Sequence, residues 1–269
     1  MTQETKSFTY DALNQMKGYQ AKKDGTVVVT QENRYNGNGQ RIQKKESKDG
    51  KTAVRNYYYQ DGSVLYTADG EGKRTGLNLM GTGGNVIAAA RGSGSSEAWY
   101  LYHKDVREST SSLINAKGEL AAAYQYDAFG NTDIVAGADF DQEICYTGQV
   151  YDRNTGLYYY NARFYNPEDG RFITQDTYRG ESKEPDTLHL YAYCANNPVN
   201  YVDPSGHIFI KRIVLFGYKI TKNLHYNRNL YNTGTPKTRN IADKKRWRRL
   251  EKKYSACHQF NRKGASCIL

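Results

Sequence analysis

The sequence predicts a mainly β protein of stacked β-hairpins, followed by a small, basic, helix-containing C-terminal tail. Three observations predict this architecture. Short segments rich in Tyr, Val, Thr and Ile alternate with Gly, Asn and Asp turn signals through residues 1–205. Helical periodicity is almost absent over the same span. Positive charge is concentrated after residue 206.

Strand signals and turn signals follow one another closely along the chain. Residues 26–30, 55–59 and 98–102 predict strands, because β-branched and aromatic side chains suit a pleated, half-buried surface. Between such segments, Asn-Gly and Asp-Gly pairs tolerate the positive φ that two-residue hairpin turns require. The turn signals are at residues 36–39, 49–50, 61–62 and 69–70.

Tyrosine-turn units recur and predict that the hairpins stack on one another. They begin at Tyr10, Tyr35 and Tyr126, and a single hairpin cannot bury its own face. Tyrosine, at 25 of 269 residues, suits a partly solvated wall because its hydroxyl reaches water or a backbone carbonyl. An ordinary β-sandwich with Tyr-rich edges is the alternative.

The composition excludes several classes of protein. A chain of 269 residues is long enough to bury a core without disulfides, and four cysteines are too few for a disulfide framework. No stretch approaches the roughly 18 apolar residues of a transmembrane segment, and residues 1–10 lack the apolar region of a secretory signal. The sequence calls for no cofactor and no metal centre.

An ordered series of motifs runs from His103 to Gly206. The motifs are HKDVREST at 103–110, YDAFGN at 126–131, YTG at 146–148, Asp152 with GLYY at 156–159, ARFYNP at 162–167, GRFITQD at 170–176, NNP at 196–198 and DPSG at 203–206. With this series the sequence resembles the Rhs repeat-associated core domain. That family includes Rhs and YD-repeat polymorphic toxins, wall-associated nuclease toxins and the C subunits of insecticidal toxin complexes.

The resemblance implies three domains: hairpin repeats at 1–99, the core domain at 100–206 and a variable effector tip at 207–269. In the family, the repeats spiral into a hollow β shell that holds the effector. Because such shells need more repeats than 206 residues supply, the resemblance implies stacked YD/RHS-type hairpins that form only a partial shell, and we expect a fragment, a truncated gene or an orphan module. The implied partner is an N-terminal shell and export portion on a longer chain. The whole toxin would be secreted or at the cell surface, whereas the fragment, without a signal, would stay cytoplasmic.

The resemblance also implies self-cleavage by an aspartic-protease-like pair, Asp176 and Asp203, just after an Asp-Pro-x-Gly-Leu motif. Two close carboxylates cannot both ionise, so one acts as an acid while the other activates water. Arg171, five residues before Asp176, is expected to orient or partly neutralise the pair. His207 replaces the family's Leu, and Thr177 stands where many members carry Pro. The alternative is that residues 203–206 form only a turn.

The resemblance does not identify the tail, so its structure and function are predicted from its residues alone. Residues 207–269 contain 16 Lys and Arg against two Asp and Glu, a net charge of +14, whereas residues 1–206 carry −4. Residues 208–216 predict a strand or a short buried helix, and residues 239–254 a helix with Trp247 on its apolar side. Cations crowd the rest of this helix and indicate nucleic-acid binding, with RNA as the favoured target. They are Lys244, Lys245, Arg246, Arg248, Arg249, Lys252 and Lys253.

Several alternatives for the tail stay open. The cations also suit a solvated helix face or an anionic membrane surface, and Trp247 could stack on unpaired bases. His225 and His258 are candidate base and acid of a metal-free ribonuclease. Cys257, His258 and Cys267 offer three potential zinc ligands without the usual spacing. Two carboxylates argue against a magnesium nuclease.

The leading hypothesis for function is the C-terminal part of an Rhs/YD-repeat polymorphic toxin. Its tip would bind or cleave nucleic acid in a competing cell, and a small acidic immunity protein would be a second partner. One alternative is a cell-surface adhesin whose Tyr-rich repeats bind carbohydrate. The other is a degenerate orphan fragment without activity.

Overall fold

Antiparallel strands form most of the protein, as the sequence predicts. The computed structural model describes residues 3–60, 62–81, 84–207, 209–215 and 218–222. The first twelve strands are β1 (Glu4–Tyr10), β2 (Met16–Lys23), β3 (Thr26–Tyr35), β4 (Arg41–Lys48), β5 (Lys51–Gln60), β6 (Ser63–Ala68), β7 (Arg74–Met80), β8 (Val86–Arg91), β9 (Ala98–Lys104), β10 (Thr110–Asn115), β11 (Leu120–Tyr126) and β12 (Thr132–Ala136).

These twelve strands form one antiparallel sheet in which spatial order equals chain order. Each hairpin therefore pairs directly with the next one, and the predicted stacking of hairpins is confirmed. The strand predictions at 26–30, 55–59 and 98–102 fall within β3, β5 and β9. The β-sandwich alternative is not what the described residues adopt.

The recurring Asp or Asn after a strand builds a five-residue turn. Oδ1 of Asp69 accepts hydrogen bonds from the backbone N–H groups of Glu71, at 3.0 Å, and Lys73, at 2.9 Å. Gly72 occupies the fourth position with φ +83°, which favours glycine because it has no Cβ. The same pair of bonds forms at Asp11, Asn36, Asp105, Asn115 and Asp127.

Only some of the predicted turns have two residues. Asp49 and Gly50 connect the paired residues Lys48 and Lys51, and both have positive φ, at 50° and 73°, as such a hairpin turn requires. At residues 36–39 and 69–70 the loop is longer. An Asx side chain there replaces backbone partners, so the dipeptide alone does not reveal the loop length.

Two smaller sheets follow the large one, and the described residues also contain four short 3₁₀ helices. A four-stranded sheet contains β13 (Val150–Asp152), β14 (Leu157–Tyr159), β15 (Phe164–Asn166) and β16 (Arg171–Phe172). A three-stranded sheet contains β17 (Tyr201–Val202), β18 (Ile210–Leu215) and β19 (Tyr218–Lys222). The 3₁₀ helices span Gly94–Ser96, Tyr146–Gly148, Pro185–Thr187 and Cys194–Asn196.

The sequence predicts either a strand or a short buried helix at residues 208–216, and the structure shows a strand, β18. It pairs with β17, which precedes Gly206, and with β19. These strands are separate from the twelve-stranded sheet. The domain boundary at residue 206 remains a prediction, and the predicted helix at 239–254 lies outside the described residues.

Tyrosine forms much of the core around the four-stranded sheet, whereas some tyrosines of the large sheet, such as Tyr58, are exposed, as expected of a partly solvated wall. Tyr146, Tyr158, Tyr160, Tyr165 and Tyr193 are fully buried around the four-stranded sheet. Their rings meet edge to face or at a tilt, as between Tyr165 and Tyr193, whose tilted rings have centroids 4.4 Å apart. Several hydroxyls donate to backbone carbonyls, as Tyr165 does to Phe129 at 2.7 Å. Other hydroxyls bond to side chains, as Tyr160 does to Tyr193 at 3.1 Å, so the polar tips of these rings are satisfied inside the protein.

A buried ionic network joins the large sheet to the four-stranded one. Asp152 at the end of β13 accepts two hydrogen bonds from the Arg41 guanidinium on β4, and both side chains are fully buried. Lys44 of β4 lies 3.1 Å from Asp152 Oδ1 and 2.7 Å from Glu143 Oε1. Arg55 of β5 lies 3.2 Å from the other Glu143 oxygen.

Candidate functional site

The two predicted aspartates lie close together beyond the four-stranded sheet. Asp176 follows β16 by four residues, and Asp203 directly follows β17. Both are buried, at 6% and 3% exposure. The fold therefore brings together two carboxylates that the chain separates by a long loop.

Arg163, just before β15, connects the two carboxylates. Its Nη2 atom lies 2.7 Å from Oδ2 of Asp176 and 3.9 Å from Oδ2 of Asp203. The guanidinium carbon lies 3.7 Å from the centre of the Phe172 ring, and Nη1 donates to the Leu190 carbonyl at 2.9 Å. The side chain is only 5% exposed, so the cation is buried between its partners.

The segment after Asp203 is held against the same groups. Arg163 Nε donates a hydrogen bond to the carbonyl oxygen of Gly206. The Gly206 N–H donates to Oδ1 of Asp203 at 2.8 Å, and the Ser205 N–H donates to the same oxygen at 3.1 Å. The predicted turn at residues 203–206 is therefore present, and it places Gly206 between Asp203 and Arg163.

Gly206 fits this position because it has no side chain. Its φ is +77°, and a Cβ there would lie 2.4 Å from the backbone oxygen of Tyr160. The next residue, His207, places its Nδ1 atom 2.9 Å from Oδ1 of Asp176. The peptide bond between Gly206 and His207 thus has contacts to both aspartates on its two sides.

The two carboxylates have different surroundings. Burial raises the pKa of Asp203, and Arg163 and the N–H groups of Gly206 and Ser205 oppose this shift only in part. Asp176 instead accepts hydrogen bonds from Tyr178 N–H, at 2.9 Å, and from Arg163. Asp203 is therefore suited to hold a proton, as the acid of a carboxylate pair must.

The other predicted site residues lie elsewhere. Arg171 is exposed, and its guanidinium contacts the His189 ring, not the aspartates. The guanidinium between the carboxylates is that of Arg163, in the ARFYNP motif, which sequence reasoning did not assign to the site. Lying outside the described residues are His225, His258, Cys257, Cys267, Trp247 and the cations Lys244, Lys245, Arg246, Arg248, Arg249, Lys252 and Lys253.

The described residues contain no group of three or more His, Cys, Asp or Glu side chains that could hold a metal ion. Among them there is also no helix with the length and apolar character needed to cross a membrane.

Comparison with known proteins gives matches that cover most of the chain. A family model described as Teneurin YD-shell matches residues 1–199. The tRNA nuclease WapA of Bacillus subtilis (strain 168) is 33% identical over 205 residues, which cover 75% of this chain and 8% of that protein. The double-stranded DNA deaminase toxin A of Burkholderia cenocepacia (strain H111) is 38% identical over 111 residues, 40% of this chain and 7% of that one.

Solved structures share the fold. The crystal structure of TcdB2-TccC3 superimposes with a TM-score of 0.58 at 21% identity, over 75% of this chain and 10% of that chain. The chain therefore spans about a tenth or less of the relatives and structures named here. At this identity the superposition supports the arrangement of strands and nothing about chemistry.

Proposed function

Because the chain belongs to the Teneurin YD-shell family, we propose that it is the Rhs-type shell segment of a polymorphic toxin that cuts its own chain. The cut falls between Gly206 and His207 and releases the cationic segment that follows. That segment is the effector, and it acts on nucleic acid in a competing cell. The whole toxin is exported, and an acidic immunity protein protects the producing cell.

One observation carries the self-cleavage: the Gly206 carbonyl accepts a hydrogen bond from an arginine that also contacts both aspartates. A donor on this oxygen polarises the carbonyl and stabilises the negative charge that develops there during attack. The peptide bond is already positioned, so no substrate has to be collected from solution.

The residues divide the reaction between them. Asp176, as a carboxylate, takes a proton from water, and the water oxygen bonds to the Gly206 carbonyl carbon. Asp203, protonated, gives its proton to the leaving nitrogen of His207 as the carbon–nitrogen bond breaks. The products are a carboxyl group on Gly206 and an amine on His207. Arg163 keeps both carboxylates and the Gly206 carbonyl oxygen in position throughout the reaction.

The intact mass of the purified chain tests self-cleavage. We expect two fragments from the wild-type chain and a single species of 30.6 kDa from Asp176→Asn and from Asp203→Asn. Asp186→Asn is the matched control, because Asp186 is an exposed aspartate in the 3₁₀ helix Pro185–Thr187, and it should cleave like wild type. A wild-type chain that stays whole contradicts the proposal.

The new N-terminus locates the cut. A released fragment that begins with His207 supports cleavage of the bond whose carbonyl Arg163 contacts. A fragment that begins with Ile208 would move the cut one residue on, to the position that the Asp-Pro-x-Gly-Leu resemblance implies.

The charge of residues 207–269 supports the nucleic-acid target, since 16 basic and two acidic residues require an anionic partner to offset their repulsion. The names of the two relatives, a tRNA nuclease and a DNA deaminase toxin, describe activities on the same class of molecule. We expect the full chain to bind RNA and to lose affinity steeply as salt concentration rises.

A charge-matched comparison tests this binding. The slope of log affinity against log salt concentration is negative. Replacing Lys244, Lys245, Arg246 and Arg248 with Gln should reduce its magnitude by about 0.7 per lost phosphate contact. Replacing Lys22, Lys23, Lys48 and Lys51, four exposed lysines of the large sheet, removes the same charge and should leave the slope unchanged. Equal losses in both variants would mean that net charge alone explains the binding.

RNA degradation tests the proposed catalytic histidines. We expect the full chain to degrade RNA, and the His225→Ala and His258→Ala variants to bind RNA as tightly but not to cut it. Degradation that survives both substitutions contradicts these roles.

A further inference from the structure

The His207 ring contacts Oδ1 of Asp176, a carboxylate oxygen that the proposed reaction uses. Its Nδ1 atom lies 2.9 Å from Asp176 Oδ1, and its side chain is 37% exposed, so the ring can exchange protons with solvent. Among the described residues, Asp176 is the polar partner of this ring. The residue on the leaving side of the proposed cut therefore contacts the carboxylate that must accept a proton.

Asp176 has three donors around its two oxygens. Tyr178 N–H and the His207 ring lie on Oδ1, and Arg163 lies on Oδ2. Hydrogen bonds to a carboxylate favour its charged form and so weaken it as a base. A backbone N–H and a guanidinium keep their protons near neutral pH, whereas an ordinary imidazole changes charge between pH 5 and 8. His207 is the donor whose strength depends on pH.

We infer that His207 is a positioning residue that restrains self-cleavage: its protonated imidazole pairs with Asp176 and keeps that carboxylate from accepting the proton of water. This inference rests on the proposed self-cleavage. When the imidazole loses its proton, the ion pair becomes a neutral hydrogen bond, which a water molecule displaces more easily. The residue that restrains cleavage, His207, is thus also the residue that becomes the new N-terminus after cleavage.

The other charged groups at this junction do not replace His207 in this role. Arg163 keeps its charge, and Asp203 faces the junction from the β17 side and must be protonated to act as the acid. The requirement for a protonated Asp203 favours cleavage at lower pH, and the requirement for a neutral His207 favours higher pH. The two requirements confine the reaction to a window of pH.

The experiment compares self-cleavage of the full chain with the His207→Leu and His207→Gln variants between pH 5 and pH 8, followed by intact mass. We expect the ratio of the His207→Leu rate to the wild-type rate to be near one at pH 8. It should rise at least about tenfold by pH 5, because a protonated imidazole pairs more strongly with the Asp176 carboxylate than a neutral one does. His207→Gln keeps a neutral donor, so its rate relative to His207→Leu should not change with pH.

Three outcomes would overturn the inference. If the ratio of His207→Leu to wild type is the same at every pH, His207 has only a structural role. If His207→Leu is slower than wild type at pH 5, the imidazole assists the reaction. If no chain cleaves at any pH, the proposed self-cleavage fails and the inference fails with it. Should His207→Leu not fold, the comparison of wild type with His207→Gln must show the same relative slowing of wild type as pH falls.

Discussion

Arg41 and Asp152 form a fully buried ion pair between strand β4 of the large sheet and strand β13 of the four-stranded sheet. The guanidinium also lies over the rings of Tyr57 and Tyr159, with its carbon 4.9 and 4.7 Å from their centres. Through this pair, residues 111 positions apart in the chain hold the two sheets together.

Removing one member of this pair should destabilise the protein strongly. We expect Asp152→Ala to lower the free energy of unfolding by about 3–5 kcal/mol, because Arg41 would remain buried without a carboxylate partner and Lys44 would lose one of its carboxylates. Urea denaturation measures the change. The matched control is Glu97→Ala, which breaks an ion pair with Arg74, whose side chain is 48% exposed, and should cost about 0–1 kcal/mol. Similar losses of unfolding free energy in both variants would show that the buried ion pair stabilises the fold no more than the exposed pair does.

The same network predicts how stability depends on pH. Burial alone would raise the pKa of Glu143, but Arg55 and Lys44 lower it well below its usual range, and Arg41 and Lys44 likewise lower the pKa of Asp152. A carboxyl group whose pKa is lower in the folded chain stabilises the fold above its unfolded pKa, about 4. That contribution is lost as pH falls toward the folded value. We therefore expect the free energy of unfolding to decline below about pH 4.

Glu143→Gln tests the assignment of this decline. Measured by urea denaturation, the variant should be less stable than wild type at pH 7 and should lose less stability between pH 4 and pH 2. Glu168→Gln, at an exposed glutamate, should follow the wild-type curve. Parallel curves for Glu143→Gln and wild type would contradict the prediction.

The turn side chain of Asp69 should contribute to stability through its two backbone hydrogen bonds. We expect Asp69→Ala to lower the free energy of unfolding by about 1–3 kcal/mol, at 0.5–1.5 kcal/mol for each bond. Asp69→Asn keeps an oxygen acceptor and should lie within a few tenths of a kcal/mol of wild type. If both substitutions cost the same, the acceptor is not what the turn requires.

Gly206 should tolerate no side chain, in contrast to a glycine with the same backbone angle in open space. Gly206→Ala places a Cβ against the Tyr160 carbonyl, whereas Gly118, with φ +82°, has nothing within 4 Å. Gly118→Ala should cost about 1–2 kcal/mol for the backbone angle alone. Gly206→Ala should cost about 1–3 kcal/mol more for the added overlap, and displacement of the carbonyl should slow self-cleavage about 10²-fold. Urea denaturation and intact mass are the two measurements.

The sheet was predictable because its signals are local. Tyrosine followed by Asp or Asn indicates a strand and a turn within a few residues, and chain order equals sheet order, so no long-range pairing had to be guessed. Loop length was not predictable from the dipeptide. The hydrogen bond that Lys73 N–H donates to Asp69 Oδ1 closes the longer loop, and the sequence around residue 69 does not distinguish this loop from a two-residue turn.

The site was predictable in its carboxylates and not in its cation. Asp176 and Asp203 follow from the motif resemblance, whereas Arg171 was chosen for its proximity to Asp176 in the chain. Along a strand, successive side chains point to opposite faces, so Arg171 is exposed while Phe172 is buried. Arg163 reaches the aspartates over the Phe172 ring, a contact that only the packing of β15 against β16 creates. The Arg41–Asp152 pair was missed because nothing near either residue in the sequence indicates the other.

The large sheet also bears on how proteins of this architecture change over evolutionary time. Since each strand of the large sheet pairs within the sheet with its neighbours in chain order, duplication or loss of a two-strand unit leaves the remaining register intact. Genes for such proteins can therefore lengthen or shorten by recombination between similar hairpins without rerouting the chain. The segment around Asp152 is the exception, because its partner on β4 must stay at a fixed distance.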